Sequence, residues 1–279
     1  MTPLSKPVII AGPCMAESPD LMEAVAARLS KLADRLDFTY YFKASFDKAN
    51  RTSIDSYRGP GLEASLPWFT SIKDKFGCRL ITDIHEPYQA KAAAEVFDAL
   101  QIPAFLCRQT DLLVAAVETG RMVNIKKGQF MSPGSMGNIA EKVKETCRKN
   151  NLELNASLTE RGTSFGYGDL LVDMRAFPMM ADFGLPLIFD VTHSTQTPPT
   201  GEAKTSGANR KFAPILARSA AATGCLGGFF IEVHPEPSIA KSDAAAQLNI
   251  EQAEALITQL VSIWKEAQKW RGIDQGFMA

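Results

Sequence analysis

The sequence predicts an α/β protein whose 279 residues form one (β/α)8 TIM barrel, a single domain spanning residues 1–279. Three observations predict this fold. Short, almost continuously apolar runs alternate eight times with longer amphipathic helical patterns. Strands of that kind belong to parallel sheets covered by helices, and eight strand–helix units close a barrel. No linker divides the chain, and no GxGxxG motif follows the first run, which disfavours the alternative of an open doubly wound sheet.

Each predicted strand is a short apolar run that stops where polar residues begin. The eight runs are Val8–Pro13, Phe38–Lys43, Arg79–Ile84, Ala104–Arg108, Met122–Lys126, Leu152–Leu158, Leu187–Val191 and Gly228–Val233. The helices between them follow from apolar residues at helical spacing and from end signals such as Ser18 before Pro19. They are Ser18–Leu36, Leu62–Phe76, Pro87–Leu100, Asp111–Glu118, Gly137–Asn150, Met174–Phe183, Ala213–Ala222 and Ile250–Trp270.

Composition and charge exclude several classes of protein. Hydrophobic residues make up 46% of the chain and 30 basic residues face 31 acidic ones, which indicates a globular protein without a broadly basic nucleic-acid surface. The N-terminal apolar run is too short for an export signal, and none approaches the roughly 18 residues of a membrane span. Five cysteines without CxxC spacing indicate reduced thiols. We therefore expect a cytoplasmic enzyme with neither nucleic acid nor membrane as a partner.

The segment Phe42–Gly61, FKASFDKANRTSIDSYRGPG, places four cations within twenty residues. These cations are Lys43, Lys48, Arg51 and Arg58, and the neutral donors Ser45, Asn50, Thr52 and Ser53 lie between them. Arginine forks, lysine point charges and neutral donors together are the mixture that binds phosphate or carboxylate. The segment is therefore a candidate anion-binding loop, although composition alone leaves open an ordinary basic surface loop.

All eight predicted strands end in polar or reactive residues, and the active sites of barrels lie at that end. In strand order these residues are Cys14; Lys43 and Ser45; Asp83 and His85; Arg108 and Gln109; Lys126 and Lys127; Glu160 and Arg161; Asp190 and His193; Glu232 and His234. Cations are in excess among them, in a chain whose net charge is only −1. The excess predicts a substrate with several negative charges, such as a phosphate plus a carboxylate.

A second group of strand-end residues has the chemistry of metal ligands. Cys14 follows the first strand, His193 the seventh and Glu232 the eighth, and Asp243 lies in the loop after it. The first, seventh and eighth strands are neighbours in a closed barrel. Thiolate, imidazole and carboxylate suit a divalent ion such as zinc, iron(II) or manganese. Spacing alone leaves open a packing role for Cys14 and a core or substrate-binding role for His193.

Beyond these patterns, the chain resembles the 3-deoxy-D-manno-octulosonate 8-phosphate synthases over almost its whole length. The motifs that carry the resemblance occur in the family's order: IAGPC, FKASFDKANRTSIDSYRGPG, LITDIHE, RQTDL, VNIKKGQF, TERGTSFGYGDLLVDMR, IFDVTHSTQ and FIEVHPEP. KANRTS is the most specific, because the related 3-deoxy-D-arabino-heptulosonate 7-phosphate synthases typically have KPRTS there. Those synthases are the nearest alternative.

The resemblance implies a transferase of lipopolysaccharide precursor (Kdo) biosynthesis that condenses phosphoenolpyruvate with arabinose 5-phosphate and works as a homotetramer. The residues that it implies for phosphoenolpyruvate are Lys43, Ser45, Lys48, Gln109, Lys126 and Arg161. Those for arabinose 5-phosphate are Asn50, Arg51, Thr52 and Asp83, with arginine and hydroxyl groups of an adjacent subunit holding part of the sugar phosphate. The implied catalytic residues are Lys48, Asp83, His193 and Asp243.

The resemblance also implies a metal-dependent enzyme, because metal-dependent members have cysteine at the position of Cys14 and the others have asparagine. The implied ligands are Cys14, His193, Glu232 and Asp243, for zinc, iron(II), manganese or cobalt. Two positions depart from the family pattern: Thr52 replaces a common serine, and Gly128 replaces a proline after the paired lysines. The alternatives from other functional classes are a Schiff-base aldolase with Lys126 as nucleophile and a non-catalytic sugar-phosphate binder.

Overall fold

The computed structural model describes residues 4–51, 53–197 and 207–270, and in them eight parallel strands form a closed barrel. The barrel strands are β1 (Val8–Gly12), β2 (Thr39–Lys43), β3 (Arg79–Asp83), β4 (Ala99–Ile102), β5 (Met122–Lys126), β6 (Ala156–Glu160), β7 (Leu187–Asp190) and β10 (Gly228–Glu232). β1 pairs with both β2 and β10, which closes the sheet. The predicted (β/α)8 barrel is therefore confirmed.

Helices follow the strands and form the outer layer. They are α1 (Pro19–Leu36), α2 (Leu62–Phe76), α3 (Pro87–Ala94), α4 (Thr110–Glu118), α5 (Met136–Lys149), α6 (Ala176–Ala181), α7 (Ala213–Ala222) and α8 (Ile250–Gln268). The Ser18 hydroxyl accepts a hydrogen bond from the Leu21 amide at 3.3 Å, so the predicted N-cap of α1 is confirmed. After β7, the short strands β8 (Gln196–Thr197) and β9 (Gly207–Ala208) form an antiparallel pair.

The fourth strand was predicted at the wrong place. The alanine-rich stretch after Pro87 predicts one helix as far as Leu100, but α3 ends at Ala94 and β4 begins at Ala99. The predicted strand Ala104–Arg108 is a 3-10 turn over Ala104–Leu106. Pro103 precedes this turn and has no N–H to donate to a strand ladder, so the apolar run after it lies outside the barrel.

The sixth strand also begins later than predicted. The apolar residues from Leu152 onward predicted a strand to Leu158, but β6 runs from Ala156 to Glu160. Asn151 has a φ of 51°, in the left-handed region, where the chain turns away from the end of α5. Residues 152–155 lead from this turn to the sheet, so the strand begins only at Ala156.

Apolar side chains fill both the space between helices and strands and one part of the barrel interior. The interior group comprises Ile10, Tyr41, Ile81, Ala99, Ile188 and Phe230. Fully burying an isoleucine or phenylalanine side chain contributes about 1.5–3 kcal/mol to the free energy of unfolding. Among the described residues, no helix has the length and apolar character needed to span a membrane.

Two glycines allow β1 to pack closely against its neighbours. A Cβ atom at Gly12 would lie 2.2 Å from the carbonyl oxygen of Lys43, and one at Gly228 would lie 2.0 Å from that of Val8. Neither contact can be relieved by rotating a side chain, because both partners are backbone atoms. Gly12 therefore fixes the distance between β1 and the end of β2, where Lys43 begins the anion-binding loop.

Replacing Gly12→Ala should lower the free energy of unfolding by about 1–3 kcal/mol, because the backbone of β2 must move to accommodate the new methyl group. Gly134→Ala is the matched control, because a Cβ there meets no atom within 4 Å, and it should change stability by less than about 0.5 kcal/mol. Urea denaturation followed by circular dichroism measures both. Equal stability of the two variants would contradict the prediction.

Candidate active site

Charged side chains converge at the carboxyl end of the barrel, although they are almost entirely buried. Those nearest the barrel axis are Lys43, Asp83, Lys126, Arg161, Asp190, His193 and Glu232. A buried charge is tolerated only when it is paired or hydrogen-bonded. The contacts between these groups therefore determine how the site is held.

Lys43, at the end of β2, lies at the centre of this group. Its ammonium nitrogen is 3.1 Å from Glu232 Oε1, 3.5 Å from Asp83 Oδ2 and 3.1 Å from the carbonyl oxygen of Cys14, to which it donates. Its side chain is 1% exposed. Lys43 thus connects carboxylates that lie on opposite sides of β1 and β2.

Asp83, at the end of β3, is held by the anion-binding loop. Ser45 donates its hydroxyl to Asp83 Oδ2 at 2.5 Å, and Lys48 Nζ lies 3.0 Å from Ser45 Oγ. Burial raises the pKa of Asp83, but the positive charges of Lys43 and Lys48 outweigh that effect and hold the pKa well below its usual range. Asp83 is therefore a carboxylate, able to accept hydrogen bonds but not to donate a proton.

Asp190, at the end of β7, orients two predicted site residues. Its Oδ2 atom lies 2.7 Å from Lys126 Nζ and 2.8 Å from His193 Nδ1. Because Asp190 engages Nδ1, the second ring nitrogen of His193 is directed toward Glu232 and Asp243, at 3.5 Å and 4.0 Å. Sequence reasoning placed Asp190 at a strand end but gave it no role, since the contacts that define its role come from β5 and the loop after β7.

Three of the four predicted metal ligands form one compact cluster. A sulfur or oxygen atom of each of Cys14, Glu232 and Asp243 lies within 4.8 Å of the others, and His193 Nε2 faces the last two. Burial and the nearby charge of Glu232 raise the pKa of the Cys14 thiol, which keeps its proton and donates it to Asp243 Oδ2 at 3.2 Å.

Glu232 supplies the test of whether this cluster fits a metal ion. Its Oε2 atom is buried and has no hydrogen-bond partner in the described part of the chain. A buried carboxylate oxygen without a hydrogen bond is costly, and a cation bound beside it would remove that cost. The three side chains of the cluster and His193 include soft and hard donors suited to a divalent transition metal. The residues present therefore fit the predicted cofactor, a divalent metal ion.

Arg161, after β6, lies at the edge of the cluster. Its guanidinium donates to the carbonyl oxygen of His193 at 3.1 Å and to Gln196 Oε1, and Gln196 donates in turn to Asp243 Oδ1 at 2.7 Å. The Nε atom of Arg161 is buried and has no partner within the described ranges. It is therefore a donor that an anionic ligand could use.

Lys127 has a different position from its neighbour Lys126. It is buried beneath the loops after β5 and β6, where it donates to the carbonyl oxygens of Gly128, Met131 and Gly162. Its nitrogen also lies 3.5 Å from Glu160 Oε2. Lys127 therefore joins the loops after β5 and β6, and its buried ion pair with Glu160 stabilises the loops that surround the site.

The predicted sugar-binding residues lie on the outer side of the group. Arg51 donates to the carbonyl oxygen of Lys241 at 2.9 Å and to Ser242 Oγ at 3.2 Å, so it lies against the loop of its own chain that carries Asp243. Asn50 is exposed, and Thr52 lies outside the described residues. Of the three members of this set that the structure describes, Asp83 reaches the buried group.

Gln109 does not join the buried group, because it is exposed at the N-cap of α4. Gln101 of β4 does: its amide donates to Asp83 Oδ1 at 2.7 Å. Sequence reasoning missed Gln101 since the fourth strand was misplaced, although a glutamine inside the apolar stretch DALQI is an unusual feature that could have indicated it.

Comparison with known proteins agrees with the motifs. The model of the DAHP synthetase I family matches residues 5–269. A 2-dehydro-3-deoxyphosphooctonate aldolase of Helicobacter pylori is 50% identical over 94% of this chain and 97% of its own length. One of Fusobacterium nucleatum is 51% identical over 92% of this chain and 90% of its own. Since the match extends over the whole barrel and about half of the residues are identical, this chain belongs to the DAHP synthetase I family.

Proposed function

We propose that this chain is a synthase that condenses phosphoenolpyruvate with D-arabinose 5-phosphate and water. The products are 3-deoxy-D-manno-octulosonate 8-phosphate and inorganic phosphate, on the route to Kdo and lipopolysaccharide. The observation that carries the proposal is the convergence of cations at the carboxyl end of the barrel in a chain about half identical to 2-dehydro-3-deoxyphosphooctonate aldolases. The cations concerned are Lys43, Lys48, Lys126 and Arg161. Both substrates are phosphorylated, and one is also a carboxylate.

Phosphoenolpyruvate would be bound by the cations together with Ser45 and, as the motif implies, Gln109. The unpartnered Nε of Arg161 supports this role, since a phosphate or carboxylate would complete its hydrogen bonding. Lys48 supports it as well. Burial lowers the pKa of Lys48, but the negative charges of Glu232 and Asp83 raise the pKa above its usual value. Lys48 therefore keeps its positive charge at any pH at which the enzyme would work.

Arabinose 5-phosphate would be bound by Asp83 at its hydroxyl groups and by Asn50, Arg51 and Thr52 nearer its phosphate. Asp83 suits this role because it stays ionised and accepts hydrogen bonds from hydroxyl groups, as it does from Ser45. The half-buried guanidinium of Arg51 lies on the rim of the site, where it would meet the phosphate end of an extended sugar. A homotetramer, in which an adjacent subunit adds arginine and hydroxyl groups, completes the proposal.

In the proposed reaction, C3 of the enol attacks the aldehyde carbon while water adds to C2, and the tetrahedral intermediate loses phosphate by C–O cleavage. Lys48 would stabilise negative charge on the aldehyde oxygen, and Arg161 and Lys126 would stabilise it on the departing phosphate. Asp83 would fix the sugar chain for attack. His193 and Asp243 would act at the other side of the aldehyde, beside Cys14 and Glu232.

The same four residues, Cys14, His193, Glu232 and Asp243, would hold a divalent metal ion. When bound, the ion would orient the aldehyde or a water molecule by Lewis-acid attraction, without redox chemistry. Asp190 supports this assignment because it engages Nδ1 of His193 and leaves Nε2 directed at the cluster.

The proposal also includes a homotetramer and a reducing, cytoplasmic location. Large aromatic side chains are exposed on the loops that follow β4, β5 and β6, among them Phe105, Phe165 and Tyr167, and a homotetramer would cover such a surface. Five scattered cysteines without CxxC spacing support a reducing, cytoplasmic location. The amine of Lys126 is held in a buried ion pair with Asp190 at 2.7 Å, which disfavours the Schiff-base alternative, whereas burial lowers the pKa of Lys126 as that alternative requires. Borohydride trapping separates the two.

Phosphate release should be at least about 10-fold faster, as kcat/KM, with arabinose 5-phosphate than with erythrose 4-phosphate. In the proposed binding mode, Asp83 and the loop from Lys43 to Arg51 would contact the longer sugar along its whole chain. A colorimetric phosphate assay with both sugars and phosphoenolpyruvate measures the ratio. Preference for erythrose 4-phosphate would instead assign the chain to the heptulosonate synthases, and borohydride trapping without phosphate release would assign it to the Schiff-base aldolases.

A chelator should inactivate the enzyme, and zinc, iron(II), manganese or cobalt should restore activity to different degrees.

Cys14→Ala should reduce bound metal, measured by mass spectrometry after dialysis, and lose most activity, because the thiolate is the ligand that binds most tightly. Cys78→Ala is the matched control, since Cys78 is another buried cysteine at the opposite end of the barrel. Cys14→Asn should retain some chelator-resistant turnover. Full activity in metal-free wild-type protein would falsify the metal assignment.

Arg51→Ala should raise the KM for arabinose 5-phosphate by roughly 10-fold to 100-fold, the effect of losing one charge-assisted contact. The KM for phosphoenolpyruvate should change much less, because Arg51 lies on the outer rim rather than among the buried cations. Arg28→Ala is the control, since Arg28 forms exposed ion pairs on α1. Equal losses for both substrates would mean that Arg51 serves the other pocket or only anchors the Asp243 loop.

A further inference from the structure

A row of polar side chains crosses the part of the barrel interior that the apolar group leaves open. Asp83 of β3, Gln101 of β4, Asn124 of β5 and Ser157 of β6 are register partners on successive strands. Gln101, Asn124 and Ser157 are each at most 1% exposed. The row therefore crosses four neighbouring strands inside the barrel and ends at Asp83, a proposed substrate ligand.

Every hydrogen bond in this row points toward Asp83. Ser157 Oγ and Thr159 Oγ1 each donate to Asn124 Oδ1 at 2.7 Å. Asn124 Nδ2 donates to Gln101 Oε1 at 2.9 Å, and Gln101 Nε2 donates to Asp83 Oδ1 at 2.7 Å. The ionised carboxylate sets this direction. Because Asp83 only accepts, Gln101 must present its NH2 to it, and each amide behind Gln101 must then take the same orientation.

The row is not needed to fill space. Apolar side chains of similar volume fill the rest of the interior, where Ile10, Ile188 and Phe230 meet, and buried amides are a cost unless they are fully bonded. What the row does is occupy one oxygen of Asp83. The other oxygen, Oδ2, is then left for Ser45 at 2.5 Å and Lys43 at 3.5 Å, on the side where substrate would bind.

We propose that Gln101 and Asn124 are positioning residues for the sugar substrate, acting through Asp83. Their hydrogen bonds fix Oδ1 of Asp83, so that Oδ2 of Asp83 keeps its orientation when Ser45 and the hydroxyl groups of the sugar compete for it. The inference rests on the proposed function, because it takes Asp83 as a ligand of arabinose 5-phosphate. Asn124 is the informative position, since Gln101 stands between it and Asp83 and a direct substrate contact is excluded by that arrangement.

The first test is Asn124→Leu, which keeps the volume and removes the amide. The KM for arabinose 5-phosphate should rise roughly 10-fold, while the Kd of phosphoenolpyruvate, measured by calorimetry without sugar, should change less than about 3-fold. Thr82→Val is the matched control. Thr82 precedes Asp83 on β3 and its buried hydroxyl has no hydrogen-bond partner among the described residues, so its loss should leave both constants within about 2-fold of wild type.

The second test is Asn124→Asp, which makes the direction of the row depend on pH. The new carboxyl group, when protonated, can donate to Gln101 and accept from Ser157 as the amide does; when ionised, it attracts the Gln101 NH2 away from Asp83. The ratio of variant to wild-type kcat/KM for arabinose 5-phosphate should therefore rise as the pH falls from about 9 to 6. The charged groups that face Asp83, namely Lys43, Lys48, Lys126 and His85, are the same in both proteins and cancel in this ratio.

If Asn124→Leu does not fold, the double variant Ser157→Ala with Thr159→Val removes the two hydroxyl donors, and a roughly 3-fold to 10-fold rise in the same KM is expected. The inference is overturned if a folded variant of the row binds arabinose 5-phosphate as wild type does, if both substrates weaken equally, or if the Asn124→Asp ratio does not change with pH. Wild-type protein is assayed alongside. Absence of turnover in wild type would reject the proposed function instead, which keeps the two failures distinct.

Discussion

The buried ammonium group of Lys43 is the contact on which the rest of the site depends. Asp83 and Glu232 lie within 3.5 Å of it and come from strands on opposite sides of β1 and β2. Without a cation between them, two buried carboxylates would repel each other and one would have to take up a proton. Lys43 allows both to stay ionised. It therefore joins the part of the site that would hold a metal to the part that would hold a sugar.

Charge balance extends through the whole buried region. Among the described residues, four buried Lys or Arg side chains face four buried carboxylates: Lys43, Lys126, Lys127 and Arg161 with Asp83, Glu160, Asp190 and Glu232. This pairing offsets part of the desolvation cost of burying so many charged side chains inside the barrel. It also means that the buried groups alone do not supply a net positive charge for a substrate with several negative charges. Lys48, Arg51 and a bound metal ion would supply it.

The sequence predicted those features that depend on local pattern. Apolar residues at strand or helix spacing indicate a buried face, and β5, α2 and α7 were therefore predicted with the bounds that the structure has. Active sites of barrels lie at the carboxyl ends of the strands, so Lys43, Asp83 and Glu232 were predicted at the same end of the barrel. Features that depend on register or on the other side of the barrel were missed. Asp190 acquires its role from Lys126 and His193, and Gln101 lay directly after the helix predicted to end at Leu100, because the alanines before it favour a helix and hide the start of β4 at Ala99.

The polar row shows why such residues are hard to recognise one at a time. Gln101, Asn124 and Ser157 are each a single polar residue in an otherwise apolar strand, where a local interpretation is a tolerated exception. Register aligns them, and closure of the barrel removes the solvent that would otherwise satisfy them. A buried row of amides and hydroxyls has a direction only if one end cannot donate, and an ionised carboxylate meets that condition. Lys43 and Lys48 keep Asp83 ionised, so the ion pairs of the site and the hydrogen bonds of the barrel interior depend on the same cations.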